Sequence, residues 1–521
     1  MQAESTNEFT EELRISDSSK ASAETKESWG WLKRARIICG IVYILLLLAY
    51  LILIITCIAV YPRCERASDT PWWINGVFIR FSTRAKNFND LSQQLDAYRN
   101  NYSMQAVWLS TVLPLSGQSN PIDWTNTGNS PGDEQDLIAL VTKAHDNGIR
   151  IVADYPLNHL SIQSPRFRAN DYPYFVWNDQ GNASNWTPAY NKQRSAWTYN
   201  TDRGSFYLHQ FDDSDAIDVN FRNNRVLDDV LRSFSYWEKN VSLDGFNIQG
   251  ISYAYEDYEY RNETINEHGR TRHLEEDYLL LARIRLEVDA KKILMLDSED
   301  SRFGSTEQSV ARYFGDQNGH VGGVQLASVD DYVLTDARET NVTAIFDRYY
   351  GSSFYREKRT LVWSSLSSNS ALNEAFFAAS LFHSGAILVD VSRQEQRFTD
   401  EQLARLRQLI RWTRTLDVFR VGRIEQRILP DVQWLIVERA RRGSKHHMII
   451  INFGDTEQNH VIDLKEGIRN AVEVLMSNIA DPGSRYETNA LIDITKPVQL
   501  RPFEYLVIRW SPSIEGLGIA F

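Results

Sequence analysis

Hydrophobic and polar positions divide the chain into stretches of different rhythm. Residues 1–36 show no apolar periodicity, and the first 27 are rich in Ser, Thr and Glu, which predicts a disordered tail. Residues 37–61, IICGIVYILLLLAYLILIITCIAVY, are apolar throughout and carry no charge. About 20 such residues cross the apolar core of a bilayer, so this stretch predicts a membrane-spanning helix. A short polar neck follows at 62–71.

Beyond the neck, strand-like and helix-like rhythms alternate. Runs at 77–81, 106–109, 149–154, 244–248, 292–296, 322–327, 360–363 and 385–389 read as strands, with helical stretches such as 134–145, 224–237, 275–288 and 372–382 between them. Eight such units predict an α/β fold closed as a (β/α)8 barrel over 72–416. The third strand is separated from the next helix by about sixty residues. A gap of that size predicts an inserted subdomain at about 160–222. After Asp417 the helical pattern stops, and runs at 432–438, 448–453, 471–476 and 505–510 predict an antiparallel β-domain over 417–521.

Charge and cysteine usage refine the picture. The net charge of −12 argues against nucleic acid as a partner of the folded part. Lys33, Arg34 and Arg36 precede the apolar span, which favours an N-terminus inside the cell and a C-terminal part outside. Asn-X-Ser/Thr sequons at Asn101, Asn182, Asn185, Asn240, Asn262 and Asn341 all follow the span, as outward-facing glycosylation would require. There are three cysteines. Cys39 and Cys57 lie within the span and Cys64 three residues past it, so Cys64 lacks an ectodomain partner. An unpaired outward-facing Cys points to an intermolecular disulfide or a free thiol.

The motifs PWW at 71–73, DYPLNH at 154–159, YLHQF at 207–211, DVNFRN at 218–223, GFNIQG at 245–250 and NFGD at 452–455 resemble landmarks of the α-amylase family of glycoside hydrolases. Joined to the span and the YPRC at 61–64, they resemble the heavy subunits of heteromeric amino acid transporters, the family of rBAT and the large neutral amino acid transporter heavy chain. That resemblance implies a type II single-pass protein of the plasma membrane. It further implies a disulfide through Cys64 to a multi-span light subunit, which this chain would traffic and stabilise.

Amylase-type chemistry needs a carboxylate nucleophile and a carboxylic acid about 5–5.5 Å apart. The resemblance places the nucleophile at Gln249, with Asn247 where the family has Arg, and the general acid at Glu299. The third carboxylate would follow a His on the seventh strand, where VWSSLSS stands at 362–368. A neutral amide cannot form a glycosyl ester, so the expectation is a barrel with no catalytic residues and no enzymatic activity. Asp154, Asn158 and His159 remain at the third strand, as sugar contacts or, more simply, structural hydrogen bonds. The same resemblance implies a calcium site formed by Asn158, Asp218, Glu256 and carbonyls at Tyr253 and Ala254, an oxygen-only set suited to a hard cation. His446 and His447 are adjacent on a predicted strand and so point to opposite faces, which disfavours a shared metal. The competing functions are a membrane-anchored α-glucosidase or other carbohydrate-active enzyme, and a glycan-binding adhesion receptor.

Overall fold

The computed structural model describes residues 31, 33–56 and 71–511, apart from 83–86, 111, 117–119, 126, 128–131, 181–182, 190, 192, 212–214, 265–268, 298–306, 315–322, 330–341, 351–360, 365–368, 392–397, 442, 463–470 and 480–485. Cys57, Cys64, Asn182, Glu299, Asn341 and the seventh-strand tail at 365–368 lie outside the described residues.

The chain divides into two units, 1–66 and 67–521. In the first, Lys33–Thr56 forms a helix of 24 residues with none of its apolar window buried. Its uncharged part, Ile37 to Thr56, is about 30 Å long at 1.5 Å per residue, the thickness of a bilayer's apolar core.

In the second unit, eight parallel strands close into a barrel. They are β1 (Val77–Phe81), β2 (Ala106–Leu109), β3 (Arg150–Pro156), β4 (Gly245–Gln249), β5 (Ile293–Leu296), β6 (Leu326–Val329), β7 (Leu361–Trp363) and β8 (Ala386–Asp390). Each pairs with its sequence neighbours, and β1 pairs with β8 to close the ring. The alternating helices are α1 (Phe88–Tyr102), α2 (Glu134–Asp146), α3 (Asn224–Lys239), α4 (Glu275–Glu287), α5 (Glu307–Phe314), α6 (Val342–Tyr350), α7 (Ser370–Phe382) and α8 (Asp400–Thr415). Their starts are set locally. Asp133 and Asp136 cap α2 reciprocally, as Thr399 and Gln402 cap α8. On α3 the buried positions Val226, Val230, Phe234 and Trp237 recur at helical spacing and face the strands.

Strand alternation sorts each β residue inward or outward. Phe78, Ala106, Val152, Ile293, Met295, Leu326, Val362, Ala386 and Leu388 fill the interior. The interior is tight. A Cβ at Gly245 would stand 2.4 Å from Ile293 Cγ1 and 2.5 Å from its carbonyl oxygen, so only glycine fits beside β5.

The sixth strand starts later than its sequence suggests. The amides of Gly323 and Val324 both donate to the Tyr313 carbonyl, which holds them in the turn after α5 and delays strand pairing to Leu326.

The long connection after β3 carries small sheets of its own. His159–Ser161 pairs antiparallel with Ala216–Asp218. Trp177–Asn178, Ser205–Leu208 and Trp197–Asn200 form a three-stranded sheet with a separate core around Val176, Trp186, Trp197 and Leu208.

The C-terminal sheet comprises β9 (Arg423–Leu429), β10 (Trp434–Ala440), β11 (His446–Asn452), β12 (Ala471–Ser477), β13 (Leu491–Asp493) and β14 (Tyr505–Trp510), in the order β9-β10-β11-β14-β12-β13. One face, with Trp434, Ile436, Met448, Ile450, Leu506 and Ile508, makes its own core. The other, with Leu435, Val437, Ile449, Ile451 and Val507, joins the barrel core. His446 is half-buried beside Glu438, while His447 is buried, so the two do fall on opposite sides. A helical turn at Asp417–Arg420 was not expected past Asp417. Its Val418 and Phe419 are buried, and the fully buried Arg439 of β10 donates to the carbonyls of Val418, Phe419 and Phe382, which fixes the turn against the sheet.

Candidate functional site

The C-terminal ends of the barrel strands change from apolar to polar at the positions that alternation points inward. Arg80 follows Phe78 on β1, Trp108 follows Ala106 on β2, and Asp154 follows Val152 on β3. Asn247 follows Gly245 on β4, and Asp297 follows Met295 just past β5.

These five side chains form one network. Asn247, fully buried, donates from Nδ2 to Asp154 Oδ1 at 2.8 Å and to Asp297 Oδ1 at 2.7 Å. Trp108 Nε1 donates to the same Asp154 oxygen at 2.6 Å, and Arg80 donates to the other at 3.2 Å. Asp154 and Asp297 are only 3% and 8% exposed. Because both accept from one nitrogen, the two bonded oxygens lie no more than about 5.5 Å apart. Gln249 ends β4 at the rim of this network, half-buried.

Sequence reasoning singled out Asn247 and Asp154 but missed Asp297, Arg80 and Trp108. The missing signal was available: 293, 295 and 297 alternate onto the inner face of β5, two residues before Glu299.

A second buried polar cluster lies where β3 and β4 run into the inserted segment. Asn158, Asp218 and Gln210 are buried. The Gln210 amide donates to Asp218 Oδ1 at 3.1 Å, and Val219 N donates to the Asn158 carbonyl at 3.0 Å. Asp218 Oδ2 and the side-chain amides of Asn158 and Gln210 make no hydrogen bond among the described residues. Burial pushes Asp218 up to about 8, opposed by the Gln210 backbone N–H and by the neighbouring Asn158 side chain. Burial likewise pushes Glu256 up to about 7, with the Arg222 guanidinium pulling down. Arg222 donates to Glu256 Oε1 at 2.6 Å and to its carbonyl at 2.6 Å, so one oxygen of that carboxylate is already engaged. Tyr253 and Ala254 end the single turn that follows Gly250. A Cβ on Gly250 would meet Asn158 Cβ at 3.0 Å, so β4 passes directly against the Asn158 side chain. Carbonyl and carboxylate oxygens left unpaired in a buried site fit a hard cation. Among the described residues no three His, Cys, Asp or Glu are grouped as ligands, so such a cation would lean on amide and backbone oxygens.

Cys39 is exposed on the N-terminal helix. Asn101, Asn185, Asn240 and Asn262 are exposed on the second unit.

Residues 81–323 match the family model described as Alpha amylase, catalytic domain. An alpha-glucosidase of Culex pipiens is 31% identical over 186 residues, 33% of this chain and 31% of that protein. A trehalose synthase of Pimelobacter sp. is 28% identical over 280 residues, 49% of this chain and 46% of that protein. The rat amino acid transporter heavy chain SLC3A1 is 25% identical over 234 residues, 40% of this chain and 33% of that protein. The chain thus spans between about a third and a half of the curated relatives it matches. Among solved structures, Bacillus licheniformis trehalose-6-phosphate hydrolase superposes with a TM-score of 0.68 at 14% identity, covering 84% of this chain and 99% of that one.

These matches overturn the expectation of an inactive barrel drawn from Gln249 and the seventh strand. Most of the relatives and structural neighbours are named as glycoside hydrolases or trehalose synthases. The expectation tested three family positions and overlooked the carboxylate at Asp297. The second unit is a closed eight-stranded parallel barrel, matched by the alpha-amylase catalytic model over residues 81–323, and carries a C-terminal antiparallel sheet.

Proposed function

We propose that this chain is a membrane-anchored, carbohydrate-active protein that takes an α-glucoside at the C-terminal mouth of its barrel. The observation that carries this reading is the pair Asp154 and Asp297, joined through Asn247 where alpha-amylase barrels bind sugar. In a retaining mechanism one carboxyl group protonates the leaving oxygen while the other stabilises or captures the anomeric carbon. Asp297, nearer the rim, is placed to be the proton donor. Asp154, wired to Arg80, Trp108 and Asn247, presents fixed negative charge toward an oxocarbenium-like carbon. Maltose, sucrose and trehalose incubated with the detergent-extracted chain test the proposal, with released and transferred glucose both measured. Turnover lost in Asp297→Asn supports it; neither turnover nor saturable binding of any of the three sugars removes it.

The second cluster fits a calcium ion held by Asn158, Asp218, the Glu256 carboxylate and carbonyls of Tyr253 and Ala254. Bound there, the ion would supply a fixed positive charge that neutralises Asp218. The chain's own residues would orient it and tie the inserted segment to β3 and β4.

A second reading rests on different observations, the bilayer-length helix Lys33–Thr56 and the likeness to the rat transporter heavy chain. A single uncharged span lacks the polar groups between several helices that a transport path requires. The chain would therefore serve a multi-span amino acid transporter light subunit at the plasma membrane, linked through Cys64 with its C-terminal part outside. Non-reducing purification from native membrane should then yield a heterodimer that Cys64→Ser abolishes; a doubled-mass band of this chain alone counts against it.

A further inference from the structure

The sequons are not equivalent in the folded molecule. Asn185 lies in the inserted segment between Trp177–Asn178 and Trp197–Asn200, and its side chain reaches a loop that follows β4. Asn185 Nδ2 donates to the Glu263 carbonyl at 2.8 Å, and Asn185 Oδ1 accepts from the Glu263 amide at 2.8 Å. The amide of Asn185 also donates to Asn262 Oδ1 at 2.9 Å, and Trp186 Nε1 donates to the Arg261 carbonyl at 2.9 Å. Immediately behind this seam, Trp186 stacks on Trp197, and the edges of both meet Tyr260. The side-chain amide of Asn185 thus behaves as one residue of an antiparallel strand, pairing both backbone groups of Glu263.

That pairing decides which Nδ2 hydrogen is in use. To reach the carbonyl of the same residue whose N–H bonds Oδ1, the amide must donate the hydrogen on the same side as Oδ1. N-glycosylation forms an Nδ2–C1 bond to a lipid-pyrophosphate-linked oligosaccharide, with loss of one Nδ2 proton and departure of the lipid pyrophosphate. Like a peptide, the resulting secondary amide is planar, with its two carbon substituents trans. The sugar carbon then occupies the position syn to Oδ1, the very site of the donated hydrogen. A glycan and this two-bond seam cannot coexist at Asn185.

Other sequons lack this conflict. Asn240 is the exposed C-cap of α3 beside an open groove, and its side chain makes no hydrogen bond among the described residues. Asn262 contributes only its Oδ1.

We propose that Asn185 is a structural clamp between the inserted segment and the β4 loop, closed to N-glycosylation in the folded protein, whereas Asn240, exposed and unclamped, carries glycan. The glycan half of this statement rests on the outward-facing placement of the second unit; the clamp half does not. The full chain, made in glycosylating cells and extracted in detergent, is stripped of N-glycans enzymatically in heavy-oxygen water, which marks each formerly occupied Asn. A mark at Asn240 and none at Asn185 is expected; Asn185 marked in most of the folded material overturns the proposal. A second arm is independent of membrane placement. Asn185→Asp keeps the acceptor and removes the donor, whereas Thr187→Val abolishes the sequon and keeps the amide. In the Asp variant a carboxylate oxygen faces the Glu263 carbonyl where Nδ2 donated, and that repulsion should open the seam, read as about tenfold faster hydrogen exchange at the Glu263 amide and a lower melting temperature. The Val variant should show neither. Wild-type exchange and melting in Asn185→Asp overturns the clamp. A chain unmarked at every sequon speaks against the outward placement and leaves the clamp to be decided by this arm.

Discussion

Asn247 is the residue whose removal tests the barrel-mouth network most directly. Asn247→Leu keeps approximate size but deletes the donor shared by Asp154 and Asp297. The two buried carboxylates, whose bonded oxygens are no more than about 5.5 Å apart, then lose the shared donor that offset their repulsion. At an effective dielectric of about 20 their repulsion is about 3 kcal/mol. Each hydrogen bond to a charged acceptor that is lost costs about 1.5–3 kcal/mol before relaxation. Arg80 and Trp108 still serve Asp154, and water can enter at the rim beside Asp297, so a net loss of about 4 kcal/mol is expected. Spread over a unit of this size, that is a fall in melting temperature of about 4 °C at neutral pH. The dependence on acid is the discriminating part. Protonating either carboxyl removes the repulsion and supplies a new donor, so the deficit of the variant should shrink markedly in acid. Differential scanning of wild type and variant at neutral and acid pH measures it. A deficit equal at the two pH values, or none at either, would show that the two carboxylates are not electrostatically opposed across Asn247.

Three further outcomes follow from buried groups elsewhere. If the Asn158–Asp218 cluster holds calcium, chelator should lower the melting temperature of metal-loaded protein, because a ligand of the folded state alone stabilises by mass action; Asp218→Asn should remove that response, and an unchanged curve on protein shown to be loaded excludes the site. His447 is held neutral by burial, its pKa lowered to about 4 with help from the nearby Arg509, His446 and Lys445 charges and against its hydrogen bond to the Lys445 carbonyl. The unfolded chain binds its proton first, so stability should be intact above about pH 6.5 and fall between there and about pH 4, by at most roughly 3 kcal/mol, and His447→Gln should flatten that slope in an acid titration of melting temperature. Arg439→Met strands the Phe382, Val418 and Phe419 carbonyls without a donor and should cost about 3–5 kcal/mol, read as early loss of the C-terminal sheet in limited proteolysis; wild-type resistance would mean water replaces the guanidinium.

The barrel was legible because its strands are short apolar runs whose ends are marked by loops, and seven of the eight begin within one residue of the sequence estimate. The sixth strand failed for a local reason, the capture of Gly323 and Val324 by the Tyr313 carbonyl, which no periodicity encodes. The mouth was half legible. Asp154 and Asn247 stood out through motif resemblance, but Asp297 required counting inward-facing positions along β5. Arg80 and Trp108 looked like an isolated charge and an ordinary core aromatic until neighbouring strands set them beside Asp154. Gln210 was invisible in the same way, because it enters the second cluster only through the antiparallel pairing that brings Asp218 back against His159.

The two polar clusters are linked through the same pair of strands. Asp154 pairs in register with Asn247, and four residues further on β3 leads into Asn158. On β4, three residues beyond Asn247, Gly250 packs against Asn158 in a left-handed conformation (φ 79°) that a side chain would strain. Gln249 sits between these contacts, with its carbonyl bonded to the amide of Leu157. Its backbone is thus held between the strand that carries the carboxylate network and the loop that carries the buried oxygen cluster. Neutralising Asp218, by a cation or by a proton, changes the electrostatic ceiling over the same loop whose floor holds Asp154 and Asp297. The inserted segment, which supplies Asp218 and Gln210 and is seamed at Asn185 to the loop after β4, is thus a structural part of the barrel mouth rather than an appendage to it.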